Sequence, residues 1–260
     1  MTTSLSPRTH GLDAAPSSTP GPIPFPRLVR VEWAKATDTR AARWLLALVA
    51  VSTAGMMLVP VLAPTTFEQT YASYLRVAAL GLTFLLPVVA ILLLTGEWSQ
   101  RSVMITFTQE PRRARVVNAK LAVSMALGGG AAVFGGVLTA AGLGLAAASG
   151  RTLEADLTVG AVGGYLLFVL LNVLAGVALG ALLQSSAIAI AASFALPATV
   201  AVLGTTSTLV SDWIDMSTTW NWVLENDWAG HVAQISFSIA FWVVVPLAAG
   251  VVRTMRRDVG

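Results

Sequence analysis

The sequence predicts an all-α integral membrane fold with six transmembrane helices, and three observations predict it. Of its 260 residues, 55% are apolar and only 11% are charged, under half the charge usual in a soluble domain. The mean hydropathy is +0.74. Six stretches of 18 residues or more are apolar and contain no Asp, Glu, Lys or Arg. So little charge cannot cover a surface that faces water on all sides. That excludes an ordinary soluble enzyme and, despite a pI near 9.8, a nucleic-acid binder.

The spans follow from bilayer arithmetic. An apolar layer of about 30 Å takes roughly 20 helical residues. The stretches that qualify are Trp44–Ala63, Val77–Thr95, Leu121–Ala148, Gly160–Leu183, Ala187–Thr205 and Ile235–Val252. One charge at a helix centre would cost about 2.5–3.5 kcal/mol, and none of the six carries one. The third is long enough to be tilted or broken, and Gly128-Gly129-Gly130 and Gly135-Gly136 weaken it. Pro87, Pro197 and Pro246 should kink spans 2, 5 and 6. Span 4 carries Gly160/Gly164 and Gly176/Gly180, a spacing that lets backbones approach closely, within the chain or at a dimer seam. Residues 1–26 are rich in Pro, Ser, Thr and Gly without an apolar run, and read as a disordered tail ahead of a 27–257 transmembrane domain.

Orientation comes from the basic residues. Fourteen of the 16 lie before span 1, between spans 2 and 3, or after span 6. Arg76 and Arg151 are the other two. The positive-inside rule then puts both termini and the loop 96–120 in the cytoplasm of a multi-pass plasma-membrane protein. Seven of the 13 acidic residues fall in the opposite loops.

The chemistry of the chain is defined partly by what it lacks. There is no GxxxxGK[ST] loop to cradle ATP, no HExxH, and no cysteine. His10 and His231 lie outside the spans, so Ser149 has no membrane histidine to activate it and reads as a small residue at a helix end. No enzyme activity, cofactor or metal site is expected in this chain. Proton-coupled pumps carry an ionisable group inside the membrane, and here every charge lies outside the spans. A sodium site made of backbone carbonyls stays open; otherwise the energy for any transport is expected from outside the chain.

The segment after span 2 is the most specific in the chain. It reads Gly96-Glu97-Trp98, then Ser102, then Pro111-Arg112-Arg113, with Lys120 at the mouth of span 3. Val103, Met104, Ile105 and Phe107 are set among its polar residues, as in a surface segment that packs on something. Pro111 ends any helix before it, and the arginines offer forked donors to carboxylates. With Val31-Glu32-Trp33-x-Lys35 ahead of span 1, the pattern resembles the six-span permease subunits of ABC-2 type transporters common in actinobacteria. The family often has Gly where this chain has Arg101, and the likeness covers about 30–125.

The resemblance implies an N-terminal interfacial helix, a cytoplasmic coupling helix between spans 2 and 3, and a separate ATPase subunit that binds ATP and Mg. It implies that Glu97, Trp98, Arg101, Ser102, Phe107, Glu110, Pro111, Arg112 and Arg113 dock that ATPase. It also implies a second permease copy or a paralogue, with Thr83, Phe84, Phe194 and Thr199 as candidates to line the path between them. Cargo would be hydrophobic or amphipathic, a drug, lipid or peptide. From the residues alone, the loop 96–120 is equally a basic segment touching lipid phosphates. Two other readings stay open: an ATPase-independent transporter or channel, and a non-transporting scaffold or immunity protein.

Two further segments carry expectations. In 27–43, Val29, Trp33 and Ala36 share one helical face opposite Arg27, Lys35 and Asp38, which suits an interfacial helix. In 206–230, Trp213, Trp220, Trp222 and Trp228 are interspersed with Asp212, Asp215, Glu225 and Asp227. That composition reads as short interfacial helices or as a lid over an exit path.

Overall fold

Caps and prolines set the helix boundaries. The computed structural model describes residues 23–99, 112–154 and 157–256. Pro26 falls in the first turn of α1 (Phe25–Thr37), where its missing N–H would have had no partner anyway. Thr39 caps α2 (Arg40–Leu62), accepting from the Ala42 N–H at 3.1 Å. Thr70 caps α3 (Tyr71–Thr83) through the Ser73 N–H in the same way. After α4 (Leu86–Ser99) and α5 (Arg113–Ala148), Thr158 caps α6 (Val159–Leu183) at the Ala161 N–H. The chain continues through α7 (Ser186–Gly204), α8 (Thr208–Trp213), α9 (Met216–Leu224) and α10 (Val232–Ile239). A π-helical turn at Ala240–Val244 leads into α11 (Val245–Arg256).

Among the described residues, six helical units are long and apolar enough to cross a membrane: Arg40–Leu62, Tyr71–Glu97, Arg113–Ala148, Val159–Leu183, Ser186–Gly204 and Val232–Arg256. They are the six spans expected, with ends that differ by up to eight residues, and the chain is an all-α multi-pass membrane protein. Spans 2 and 4 form the centre, with 67% of each apolar window buried, against 6% for span 5. Their contact depends on glycine. A Cβ on Gly176 would sit 2.6 Å from the Pro87 carbonyl oxygen and 2.9 Å from its Cα, and one on Gly180 would meet Leu94 and Ile91. Gly164 faces the Val223 carbonyl of α9 and Gly160 faces Asn226. All four glycines of the two repeats are therefore spent on packing inside one chain.

The prolines act differently from one another. Pro87 has no N–H for the Thr83 carbonyl, and span 2 is interrupted between α3 and α4 at residues 84–85. In span 6 the Val245 N–H bonds back to the Ala240 carbonyl, five residues earlier, so the π-turn falls just ahead of Pro246. In span 5 the helix runs on through Pro197. Span 3 is one unbroken helix of 36 residues, about 54 Å long. Its glycines do not break it. Gly128 packs on Val173 and Leu170, and Gly135 lies against the Tyr165 hydroxyl.

The two ends of the bundle differ in charge. At one end Arg76 pairs with Glu225 at 3.3 Å and Glu68 at 3.8 Å. Arg151 there donates to the Val61 carbonyl at 2.7 Å, in the last turn of α2. Both outlying arginines of the charge count are thus paired at this end. The segment 206–230 forms two short helices here. Asp215 caps α9 by accepting from the Ser217 N–H at 3.0 Å, from its hydroxyl at 2.7 Å and from the Thr218 hydroxyl at 2.9 Å. Trp220 is wholly buried, its indole N–H without a partner, so it is a core residue and not an interfacial one. The remaining arginines and lysines of the described residues gather at the opposite end.

A candidate coupling site at the basic end

Four charges close a ring where α1, α4 and α5 meet. Glu32 on α1 is fully buried. One of its carboxylate oxygens accepts from the Lys35 ammonium at 2.7 Å and the other from Lys120 at 2.7 Å. Glu97, near the end of α4, faces the same two lysines from the far side, at 2.5 Å to Lys35 and 3.5 Å to Lys120. Acid and base alternate around the ring, which is neutral. Lys120 also donates to the Leu93 carbonyl at 3.1 Å, so α5 holds α4 at two points one turn apart. A buried charge is tolerated only when it is paired and hydrogen-bonded, and Glu32 has both of its oxygens served. Lys35 feels opposing effects: partial burial lowers its pKa, but its bonds and attraction to Glu32 and Glu97 together raise it above the ordinary 10.5.

Apolar seams flank the ring. Leu28 packs with Val116 and Ala119 on one side, and Ala36 with Leu93 and Val123 on the other. The buried stripe of α1 is therefore Leu28, Glu32 and Ala36. This corrects the face expected from Val29, Trp33 and Ala36: Trp33 is exposed and a carboxylate takes the inward position. The reason is pairing. A buried Glu that neutralises Lys120 outweighs what a Trp gains by leaving an interface it can share with lipid. Lys35 is also not on an opposite face but at the edge of the stripe, within reach of Glu32.

Other basic side chains fasten helix ends. Arg113 donates to the Thr254 carbonyl at 2.9 Å, and Arg253 to the Leu182 carbonyl at 2.6 Å. These carbonyls are in the last turns of α11 and α6, where the helix has no N–H left to offer and the macrodipole favours a cation. Gln184 bonds the Thr254 hydroxyl at 3.0 Å, and Arg115 reaches the Ile23 carbonyl at 2.6 Å. The start of span 3 is thereby tied to the end of span 6, itself bonded to the end of span 4, and to the residue two places ahead of α1.

The expected docking residues divide into groups. Glu97 turns inward to the ring, and Arg113 is engaged with α11. Arg112 is exposed just before α5. Arg101, Ser102, Phe107, Glu110, Pro111 and the Trp98 side chain lie outside the described residues, as do the tail residues 1–22. The path candidates are on the outside of the single chain. Phe84 is 61% and Phe194 45% exposed, Thr199 is exposed, and Thr83 is half-buried with its hydroxyl on the Ala79 carbonyl. Ser149 bonds the Leu145 carbonyl at the end of α5, as a helix-terminal hydroxyl does. No group of three or more His, Asp or Glu side chains is placed to hold a metal among the described residues.

The role of Glu32 was hidden from sequence reasoning. The Glu32–Lys35 spacing of three is a readable helix pair, but the partners that matter most are 62 and 88 residues away. The available signal was the coincidence of a single acid on α1 with Lys120 at the mouth of a span. No protein-family model matches this chain, and comparison with curated proteins finds no match either.

Proposed function

We propose that the chain is the membrane-spanning subunit of an ABC-2 type transporter, docking a separate ATPase through the segment 97–113 and moving a hydrophobic or amphipathic cargo. The observation that carries the reading is how the flanks of that segment are built. It leaves α4 beside Glu97 and returns at Arg113 in α5. The two flanks are clamped to each other by the ring, and the α5 flank is held to α11 by Arg113. A push on the segment is delivered to spans 2, 3 and 6 together, which is what an ATPase working from outside the chain needs. The apolar stretches themselves carry no Asp, Glu, Lys or Arg for ion coupling, and the buried Lys120 at the mouth of span 3 is paired with Glu32 and Glu97.

On this reading both termini are cytoplasmic, α1 lies at the inner membrane surface, and the transporter contains two permease copies or one plus a paralogue. Span 5 supports the pairing. It buries only Ala189 within the chain and leaves Ile188, Phe194, Leu196 and Val202 open. Phe84, Phe194 and Thr199 then line a path between subunits. The test is purification of the tagged chain from its native membrane in mild detergent, with mass spectrometry of what stays bound. A subunit with a phosphate-cradling GxxxxGK[ST] loop is expected, and its amount should fall when Arg112 is changed to Glu. A chain that purifies without such a subunit refutes the reading.

A further inference from the structure

The ring extends the permease reading, and the extension rests on it: we infer that Glu32 and Lys35 are positioning residues that make α1 part of the unit moved by the docking segment. α1 has no nearby covalent link to that segment, since 62 residues separate Lys35 from Glu97. What joins them is charge. If Glu97 withdrew alone, Lys35 and Lys120 would be left sharing the single carboxylate of Glu32, with Lys120 buried. Separating paired charges away from water is costly. The movement of least cost keeps the ring closed and carries α1 with the end of α4. The seams of Leu28 with Val116 and of Ala36 with Leu93 and Val123 lie on either side of the ring and resist rotation about it. α1 thus acts as a third lever, beside spans 2 and 3, between the docking segment and span 1, whose helix starts three residues after α1 ends.

The test uses the transporter purified with its ATPase. A single cysteine carrying an environment-sensitive label is placed in the cysteine-free chain, at Ala34 on α1 or at the exposed Ala114 on α5. The signal is read with Mg-ATP and vanadate. Labels at both sites should respond in the otherwise unchanged chain. Glu32→Gln and Lys35→Gln should lose the response at 34 and keep it at 114. Lys35→Arg, which preserves the charge, should retain both. Lys35 is 39% exposed, so its substitutions guard against a variant that simply fails to fold. A response at 34 that survives Glu32→Gln and Lys35→Gln, or a loss at both sites together, overturns the inference while the docking reading stands. A chain that purifies with no ATPase removes both.

Discussion

The Lys120 ammonium lies 2.7 Å from a Glu32 carboxylate oxygen, and both side chains are buried although they come from helices 88 residues apart. Removing one leaves the other buried with only one of its two opposite charges, Lys35 for Glu32 or Glu97 for Lys120, which costs up to about 3–5 kcal/mol. Glu32→Gln and Lys120→Met are therefore each expected to lower the unfolding temperature markedly in detergent. The double variant Glu32→Met with Lys120→Met should recover part of the loss. It leaves Lys35 and Glu97 to pair at 2.5 Å with no buried charge stranded.

The alkaline limb of stability should report Lys35. Its pKa is raised on folding, so its pairing is fully present below about 10.5 and is lost as pH climbs through the higher folded value. Between pH 6 and 9 the contribution is expected to be flat, to about a tenth of a pH-linked proton. Melting curves of the unchanged chain and of Lys35→Gln should run parallel there and converge above pH 10.5. Convergence on acidification instead would contradict the sign.

Gly176 and Gly129 give a matched pair. A methyl at 176 meets Pro87 backbone atoms at 2.6 and 2.9 Å, which cannot swing aside. Gly176→Ala should cost about 1–3 kcal/mol through overpacking. Nothing lies within 4 Å of a Cβ at Gly129. Gly129→Ala should be neutral or stabilising by up to about 1 kcal/mol from helix propensity. Thermal unfolding of the two variants decides it, and equal effects would argue against the packing of span 4 on span 2.

Single cysteines test the orientation. Thr37→Cys and Ala114→Cys are expected to react with a membrane-impermeant maleimide only after the membrane is opened. Ser149→Cys and Val232→Cys should react in intact cells. The reverse pattern would invert the topology and with it the side on which an ATPase docks.

The spans were legible because bilayer thickness and the cost of buried charge constrain sequence strongly, and all six appear, although spans 2 and 3 begin six and eight residues earlier than expected. The behaviour of each proline was not. Pro87 and Pro197 look alike in sequence, yet only the first coincides with a break, where Gly176 of span 4 packs against the bend. The face of α1 was misjudged for a related reason. Hydrophobic periodicity ranks Trp33 above Glu32 for burial, and only the arrival of Lys120 from span 3 reverses the order. At the candidate site, the motif drew attention to the loop 96–120, of which residues 100–111 lie outside the described residues. That Glu97 turns inward, while Arg112 is exposed, depends on three helices meeting.

The proposed docking requires the segment 97–113 to touch an ATPase. The most direct measurement places a photo-crosslinking amino acid at Phe107 or Arg112 in native membranes and identifies the adduct by mass spectrometry. The expected adduct is a subunit carrying a GxxxxGK[ST] loop, joined in higher yield when Mg-ATP and vanadate are present. Adducts to lipid alone, or only to a second copy of this chain, would contradict it.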